Sequence, residues 1–303
     1  MDIQSLTFEQ VRKLDTDQAR EILEQIRWPN GPTCHHCGSV EAYKIQGKAT
    51  SKKPARKGLY KCKHCRKQFT VTTNTIFSDS HIPLDKWLMA IYLMCSSKKG
   101  ISAHQLHRTL EITYKSAWFM AHRIRYAMGQ KPLADMLSGT VEVDETYIGG
   151  KSKGKRGRGA VNKTPVVSLI ERNGRKRSFK LERVNANSLK AVIRSEVAKE
   201  SSIMTDSFKS YTGLNTEFGS HEVVNHGLKE YVRGNAHVNT CESSFALLKR
   251  GIHGSFHHVS TKHLDRYLDE FDFRWDSRKG TDAERTVKAI AQTEGKRLKY
   301  KDK

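Results

Sequence analysis

Glu242 and Lys249 lie in the stretch HVNTCESSFALLKR, residues 237–250. Its apolar spacing reads as an amphipathic helix. Seven residues make two turns, so carboxylate and ammonium share one face about 10 Å apart. Two further acids occupy unusual positions: Asp144 is expected to end a Val-rich strand, TVEVDETYIGG, and Asp206 to end another, SSIMTDSF. Between Asp144 and Asp206 lie 61 residues, and between Asp206 and Glu242 lie 35. A carboxylate at the end of a buried strand is costly unless it is paired or metal-bound. Three that converge in a basic chain suit Mg2+ or Mn2+, which prefer hard oxygen ligands. Two such ions about 4 Å apart can activate a nucleophile and stabilise the leaving oxygen of an in-line phosphoryl displacement. Taken singly, each acid reads equally well as a helix cap or an ion-pair partner. Within VEVDET, strand alternation points Glu142 and Asp144 to one face and Glu145 to the other.

A second constellation is made of cysteines. Cys34 and Cys37 form one C-x2-C pair and Cys62 and Cys65 another, with 24 residues between them. Two such knuckles complete a tetrahedral thiolate site for one structural Zn2+, with no open position for catalysis. Gly38 suits the turn after the first knuckle. Cys95 and Cys241 fall in apolar helical patterns and read as packed thiols.

The elements that must position these groups follow from periodicity. Residues 5–28 read as helix and end at the turn cluster WPNGP. Residues 31–78 hold the cysteines and Thr/Val-rich runs such as FTVTTNTIF, which look strand-like. Residues 101–128, ISAHQLHRTLEITYKSAWFMAHRIRYAM, suit a helix-turn-helix: Ser102 caps a first helix and Thr113 a second. In the second helix Tyr114, Ala117, Ala121, Ile124 and Met128 point inward, leaving Lys115, Ser116, His122, Arg123 and Arg125 for DNA. A plain helical hairpin shows the same periodicity. Beyond residue 138, TVEVDETYIGG, TPVVSLIER, RSFKLERV, SSIMTDS and SHEVVNH read as strands, while NSLKAVIRSEVAKE, HVNTCESSFALLKR and TKHLDRYLDEFDFRW read as helices. Residues 151–163 look like a basic loop, and the last eight residues a disordered basic tail.

The 303 residues carry 54 Lys and Arg against 32 Asp and Glu, a formal charge of +22. Such a balance attracts polyanions, above all nucleic acid. Nine of the basic residues, and no acid, fall between Lys48 and Lys67. The N-terminus lacks the pattern of a signal peptide, and the longest apolar run, residues 87–95, is far short of a membrane span. A soluble, intracellular protein is expected.

VDETYIGG, TDSF and HVNTCESSFALLKRGIHGSFHHVS together resemble the DDE transposases of bacterial insertion sequences, specifically the ISXO-like group with an N-terminal zinc ribbon. The resemblance covers residues 20–278 and includes the Asp, Asp, 35-residue, Glu spacing and the Lys seven positions later. It implies a multidomain α+β chain: a helical segment (1–30), a zinc ribbon (31–78), a helix-turn-helix region (79–135), a ribonuclease-H-like mixed α/β catalytic domain (138–280) and a basic tail (281–303). It implies Mg2+ or Mn2+ ligand roles for Asp144, Asp206 and Glu242, and contact of Lys249, with Arg250 beside it, to DNA near the scissile phosphate. The third ligand position varies within the group, with Asn or His in some members, and Asn239 stands one turn before Glu242. A charged oxygen binds Mg2+ better than an amide, which favours Glu242 and leaves Asn239 and His237 in supporting positions.

The activity so implied is binding of terminal inverted repeats, metal-dependent strand cleavage and strand transfer to target DNA. A homodimer or higher oligomer would act on DNA in the bacterial cytoplasm, at the nucleoid. A non-catalytic DNA-binding regulator and a nuclease that cleaves without joining are the rival readings. An intact acidic trio argues against the first, because a pure binding protein gains nothing from carboxylates beside phosphate.

Overall fold

The computed structural model describes residues 3–46, 57–130, 135–150 and 162–300. The chain divides into two compact units, residues 1–128 with 280–303, and residues 129–279.

The first unit opens with α1 (Phe8–Lys13) and α2 (Thr16–Arg27). The single helix expected over 5–28 is divided by two caps. Thr7 and Asp15 each accept backbone N–H groups of the turn that follows, in capping boxes with Gln10 and Gln18. After α2, Trp28 meets Tyr60 and Phe69 edge-on at 5.4 and 5.7 Å. These aromatics belong to a three-stranded antiparallel sheet of β1 (Ala42–Lys44), β2 (Tyr60–Cys62) and β3 (Gln68–Phe69). Strand structure does not continue through FTVTTNTIF as expected. The Thr70 N–H donates to Thr73 Oγ1 at 2.9 Å and the Thr75 hydroxyl to the Thr72 carbonyl at 2.6 Å. Local side-chain bonds therefore outcompete a ladder and fold this segment into turns. Three helices follow: α3 (Leu84–Ser96), α4 (Ala103–Leu110) and α5 (Tyr114–Met128). Ser102 and Thr113 cap the last two as expected, accepting from the N–H groups of Gln105 and Ser116.

The second unit is built on one sheet. β4 (Thr140–Ile148), β5 (Thr164–Glu171) and β6 (Lys176–Lys180) run antiparallel. β7 (Ser202–Asp206) and β8 (Ser220–Val224) join in parallel on the other side of β4, giving the order β6-β5-β4-β7-β8. This is the mixed five-stranded, ribonuclease-H-like arrangement that the resemblance implies. α6 (Ala186–Glu196) covers one face, while α7 (Asn239–Gly251) and α8 (Leu264–Asp276) cover the other. Alternation decides which side chain meets which helix. Val141 and Val143 pack with Leu189 and Ile193 of α6, whereas Ile148 packs with Leu248 of α7 and Leu268 of α8. Asp272 and Asp276 of α8 accept the backbone N–H groups of Ser178 and Lys176 at 2.7 and 2.8 Å, fastening that helix to β6.

Residues 281–303, expected as a basic tail, instead begin with α9 (Asp282–Ala291), capped by Thr281 and part of the first unit. Nor are the last eight residues disordered as far as 300. Leu298 is buried, and its carbonyl accepts from the guanidinium of buried Arg123 at 3.1 Å. An apolar side chain and a charged donor thus hold a stretch that composition alone makes look solvated.

Candidate active site

β4 and β7 set the two aspartates side by side; Asp206 ends its strand as expected, whereas Asp144 lies mid-strand, because β4 continues to pair with β5 as far as Ile148. Their ladder pairs Thr140 with Ser202, Val141 with Ile203 and Glu142 with Met204. Carried two residues further, the same register puts Asp144 next to Asp206, on strands about 4.8 Å apart. Both occupy the face covered by α7. Asp144 accepts the Glu145 N–H at 2.8 Å, and Asp206 the Phe208 N–H at 3.0 Å. Burial raises the Asp144 carboxyl to about 8. The charges of Glu145, Asp206 and Glu242 push it the same way, against the hydrogen bond from the Glu145 N–H.

Glu242 stands in the first turn of α7 with half its side chain exposed, and its Oε1 lies 3.6 Å from His226 Nδ1. The other ring nitrogen of His226, Nε2, is buried without a hydrogen-bond partner among the described residues. The three acids are electrostatic neighbours but not a closed cage. Among the described residues, the four cysteines alone form a group of three or more Cys, His, Asp or Glu ligand atoms all within 4.8 Å of one another. Lys249 lies in the last turn of α7. Desolvation, then Lys163, lower its pKa, while Asp144 raises it, so its ammonium lies within electrostatic range of that carboxyl. Asn239 is the first residue of α7, one turn before Glu242.

Glu142, which sequence left ambiguous, is fully buried and holds the helix rather than facing a substrate. Its carboxylate accepts the N–H and hydroxyl of Thr240 at 2.8 and 2.7 Å and pairs with Arg172 at 2.8 Å. His237 Nδ1 lies 3.2 Å from it without a hydrogen bond between them. An anion at the N-terminus of α7 satisfies its first amides and fixes the helix that carries Glu242 and Lys249. Glu145 faces the opposite side, as alternation requires, and accepts the hydroxyl of buried Tyr211 at 2.8 Å. Arg172 and His226 gave no sequence signal, since their partners come from distant segments.

In the ribbon, Cys34 Sγ lies 3.6 Å from Cys65 Sγ, and Cys37 Sγ lies 3.7 Å from Cys62 Sγ. Four sulfurs at about 2.3 Å from one tetrahedral Zn2+ would stand about 3.8 Å apart, so the donor set fits a closed structural zinc site. Backbone N–H groups of Cys65 and His64 help bring the Cys62 thiol down to about 6, toward the thiolate that zinc requires.

The residues expected to read DNA divide sharply. Lys115 is exposed near the start of α5, its ammonium 5.2 Å from the Tyr300 ring. Arg250 is exposed and donates to the Ala246 carbonyl of its own helix. Arg123 and Arg125, however, are buried, as is His122, so these expected DNA contacts are corrected. Arg123 donates to the Ser78 carbonyl at 2.8 Å and to that of Leu298, tying the turn after the ribbon to the C-terminal stretch. The second half of α5 is enclosed nearly all round, with α3, α4 and α9 packed against the helix. The exposed end of the hairpin is instead its tip, where His104 stacks on Tyr114 at 4.2 Å beside exposed Arg108. Of the expected basic loop, residues 151–161 lie outside the described residues.

With this geometry in hand, similarity to known proteins identifies the lineage. Residues 136–276 match the ISXO2-like transposase domain, and residues 14–68 the transposase zinc-ribbon domain. The chain is 30% identical over 275 residues to an uncharacterised protein of the transposable element ISH50 in Halobacterium salinarum, an alignment covering 85% of this chain and 90% of that one. Among solved structures, a pre-cleavage Mos1 transpososome matches at 15% identity over 97% of this chain and 99% of that chain, with a TM-score of 0.24. A Mos1 transposase paired-end complex with the left transposon end matches at 14% identity over 95% of each chain, with a TM-score of 0.26. At those scores neither bears on the arrangement of this chain. The chain belongs to the ISXO2-like family of insertion-sequence transposases, enzymes of the polynucleotidyl-transferase type. Among the described residues no helix is long and apolar enough to cross a membrane.

Proposed function

We propose that this transposase binds the terminal inverted repeats of its element, cuts DNA there, and joins the freed 3′-hydroxyl to target DNA, with Asp144, Asp206 and Glu242 as the ligands of catalytic Mg2+ or Mn2+. The observation that carries this reading is the register that brings mid-strand Asp144 of β4 beside Asp206 at the end of β7, with Glu242 close enough to add to the raised pKa of Asp144. Oxygen donors of which one is kept from ionising near neutrality, first by desolvation and then by neighbouring carboxylates, are a fitting set for a hard divalent cation. When bound, the ions would supply Lewis acidity and charge neutralisation at the scissile phosphate.

The chain's own groups do the rest. Lys249, on the same helix face as Glu242, holds a phosphate oxygen and offsets charge that builds in the transition state. Glu142, through Thr240 and Arg172, keeps α7 in place so that Glu242 and Lys249 stay aligned with Asp144 and Asp206. Lys115 and the exposed tip of α4 and α5, together with Arg250, hold DNA, and two copies of the chain bring two ends together.

The experiment incubates purified protein with DNA taken from the sequence flanking its gene and Mg2+. Wild type should nick and join; Lys249→Ala should still bind Mn2+ but cut at least tenfold more slowly. Activity in Glu242→Gln alongside loss in Asn239→Ala would move the third ligand one helical turn.

A further inference from the structure

The loop that leaves β8 presents apolar side chains to solvent beside the acidic site. Leu228 is 78% exposed, Tyr231 54% and Val232 52%, a cluster within five residues. Apolar exposure concentrated in one short loop marks a surface that meets something. The loop is not loose. Asn225 Oδ1 accepts the Gly227 N–H at 3.0 Å, Glu230 Oε2 accepts the Asn225 N–H at 3.1 Å, and Arg233 donates to the Val223 carbonyl at 2.8 Å. Backbone bonds in both directions between Arg233 and Ala236 close its far end, and Ala236 and Val238 are buried against Met204 and Val224. The apolar tip is therefore presented on a fastened base.

Its place relative to the site is set by His226. The His226 ring lies 5.2 Å from the Tyr231 ring, and its Nδ1 lies 3.6 Å from Glu242 Oε1. Tyr231 is thus one side chain removed from a proposed metal ligand. Lys229 and Arg233 flank the apolar tip and are exposed; with Arg233 paired to Glu230 at 3.6 Å the tip keeps one net positive charge, which suits a polyanion and disfavours a second copy of a chain with charge +22. Paired bases in a duplex keep their faces stacked and offer an exposed ring nothing, whereas an unpaired base offers a face that stacks on an aromatic ring. Aliphatic side chains can fill the gap such a base leaves.

We propose that residues 225–236 form a binding site for an unpaired nucleobase next to the scissile phosphate, with Tyr231 stacking on the base and Leu228 and Val232 wedged against its neighbours. This rests on the reading of the acidic site as one that acts on DNA. The site selects strand distortion rather than sequence, because every base has a face to stack.

The test is fluorescence anisotropy with two labelled DNAs of equal length and mixed sequence, one fully paired and one with a short unpaired stretch. Wild type should bind the distorted duplex about tenfold more tightly, the scale of one base–aromatic stack. Tyr231→Ala and Leu228→Ala should lose that preference while keeping wild-type affinity for the paired duplex, and Tyr231→Phe should retain it. Equal binding of both duplexes by wild type, or a preference that survives in Tyr231→Ala, would overturn the proposal and leave the catalytic reading untouched. So would a fall in particle mass of Leu228→Ala in light scattering with DNA preference unchanged, which would make the patch a contact between copies. Failure of wild type to bind either duplex would remove the catalytic reading as well.

Discussion

Two carboxylates two positions apart on one strand do opposite work. Glu142 is enclosed by donors and a cation, so its charge is stabilised where it lies. Glu142→Gln leaves Arg172 and the first amides of α7 poorly matched, and should cost about 3–5 kcal/mol of stability in chemical denaturation. Asp144 is half-buried among other acids, with its folded pKa of about 8 well above its ordinary value of 3.8. Between those values the native state holds a proton that the unfolded chain has lost, so its contribution to stability falls as pH rises through that window. Without divalent metal, thermal melting should therefore drop from pH 5 to pH 8 in wild type. Asp144→Asn should flatten that slope and be more stable at pH 8, by roughly a few kcal/mol. Mn2+ should raise the wild-type midpoint at pH 8 and leave the variant unmoved. Sequence alternation put both acids on one face and could go no further. What separates them is Arg172 and Thr240, from distant segments, around Glu142, and around Asp144 desolvation, the charge of neighbouring Glu145 and then those of Asp206 and Glu242.

At the scale of elements, strands β4 to β8 and helices α6 to α8 were legible because their alternation and 3.6-residue periods were unmistakable. The misreading of α5 has a specific cause, since periodicity reports one buried face and cannot see a second. α5 shows the periodic inward stripe, but neighbouring helices also cover its other side from Met120 to Met128, apart from Tyr126. Arg123→Ala and Arg125→Ala should therefore act on folding. Arg123→Ala orphans two buried carbonyls and should lower stability by about 2–4 kcal/mol, measured by denaturant titration. Lys115→Ala, at the exposed start of α5, should instead weaken DNA binding without moving the melting midpoint. The cysteine pairs were legible because a fixed spacing is itself a chelate. Elemental analysis should find one Zn2+ per chain in reduced protein. Cys62→Ser should release it and open the β1–β3 sheet, seen as faster amide exchange over residues 31–78.

Over the whole molecule, charge sets how DNA is met. A chain of net charge +22 that neutralises several phosphates releases their counterions, so log affinity should fall linearly with log salt concentration. With about six to ten phosphate contacts, affinity would drop roughly 10³–10⁵-fold between 50 and 200 mM salt. That term serves a regulator as well as an enzyme, and so cannot choose between them. The acids can, since a binding protein is only weakened by carboxylates beside phosphate. The most direct measurement is cleavage and joining of DNA from the sequence flanking the gene, in Mg2+, by Asp144→Asn, Asp206→Asn and Glu242→Gln. Each variant should lose both activities while binding that DNA at least as tightly as wild type, because negative charge beside phosphate has been removed. Normal cutting and joining by all three would contradict the account and leave the acids without a catalytic role.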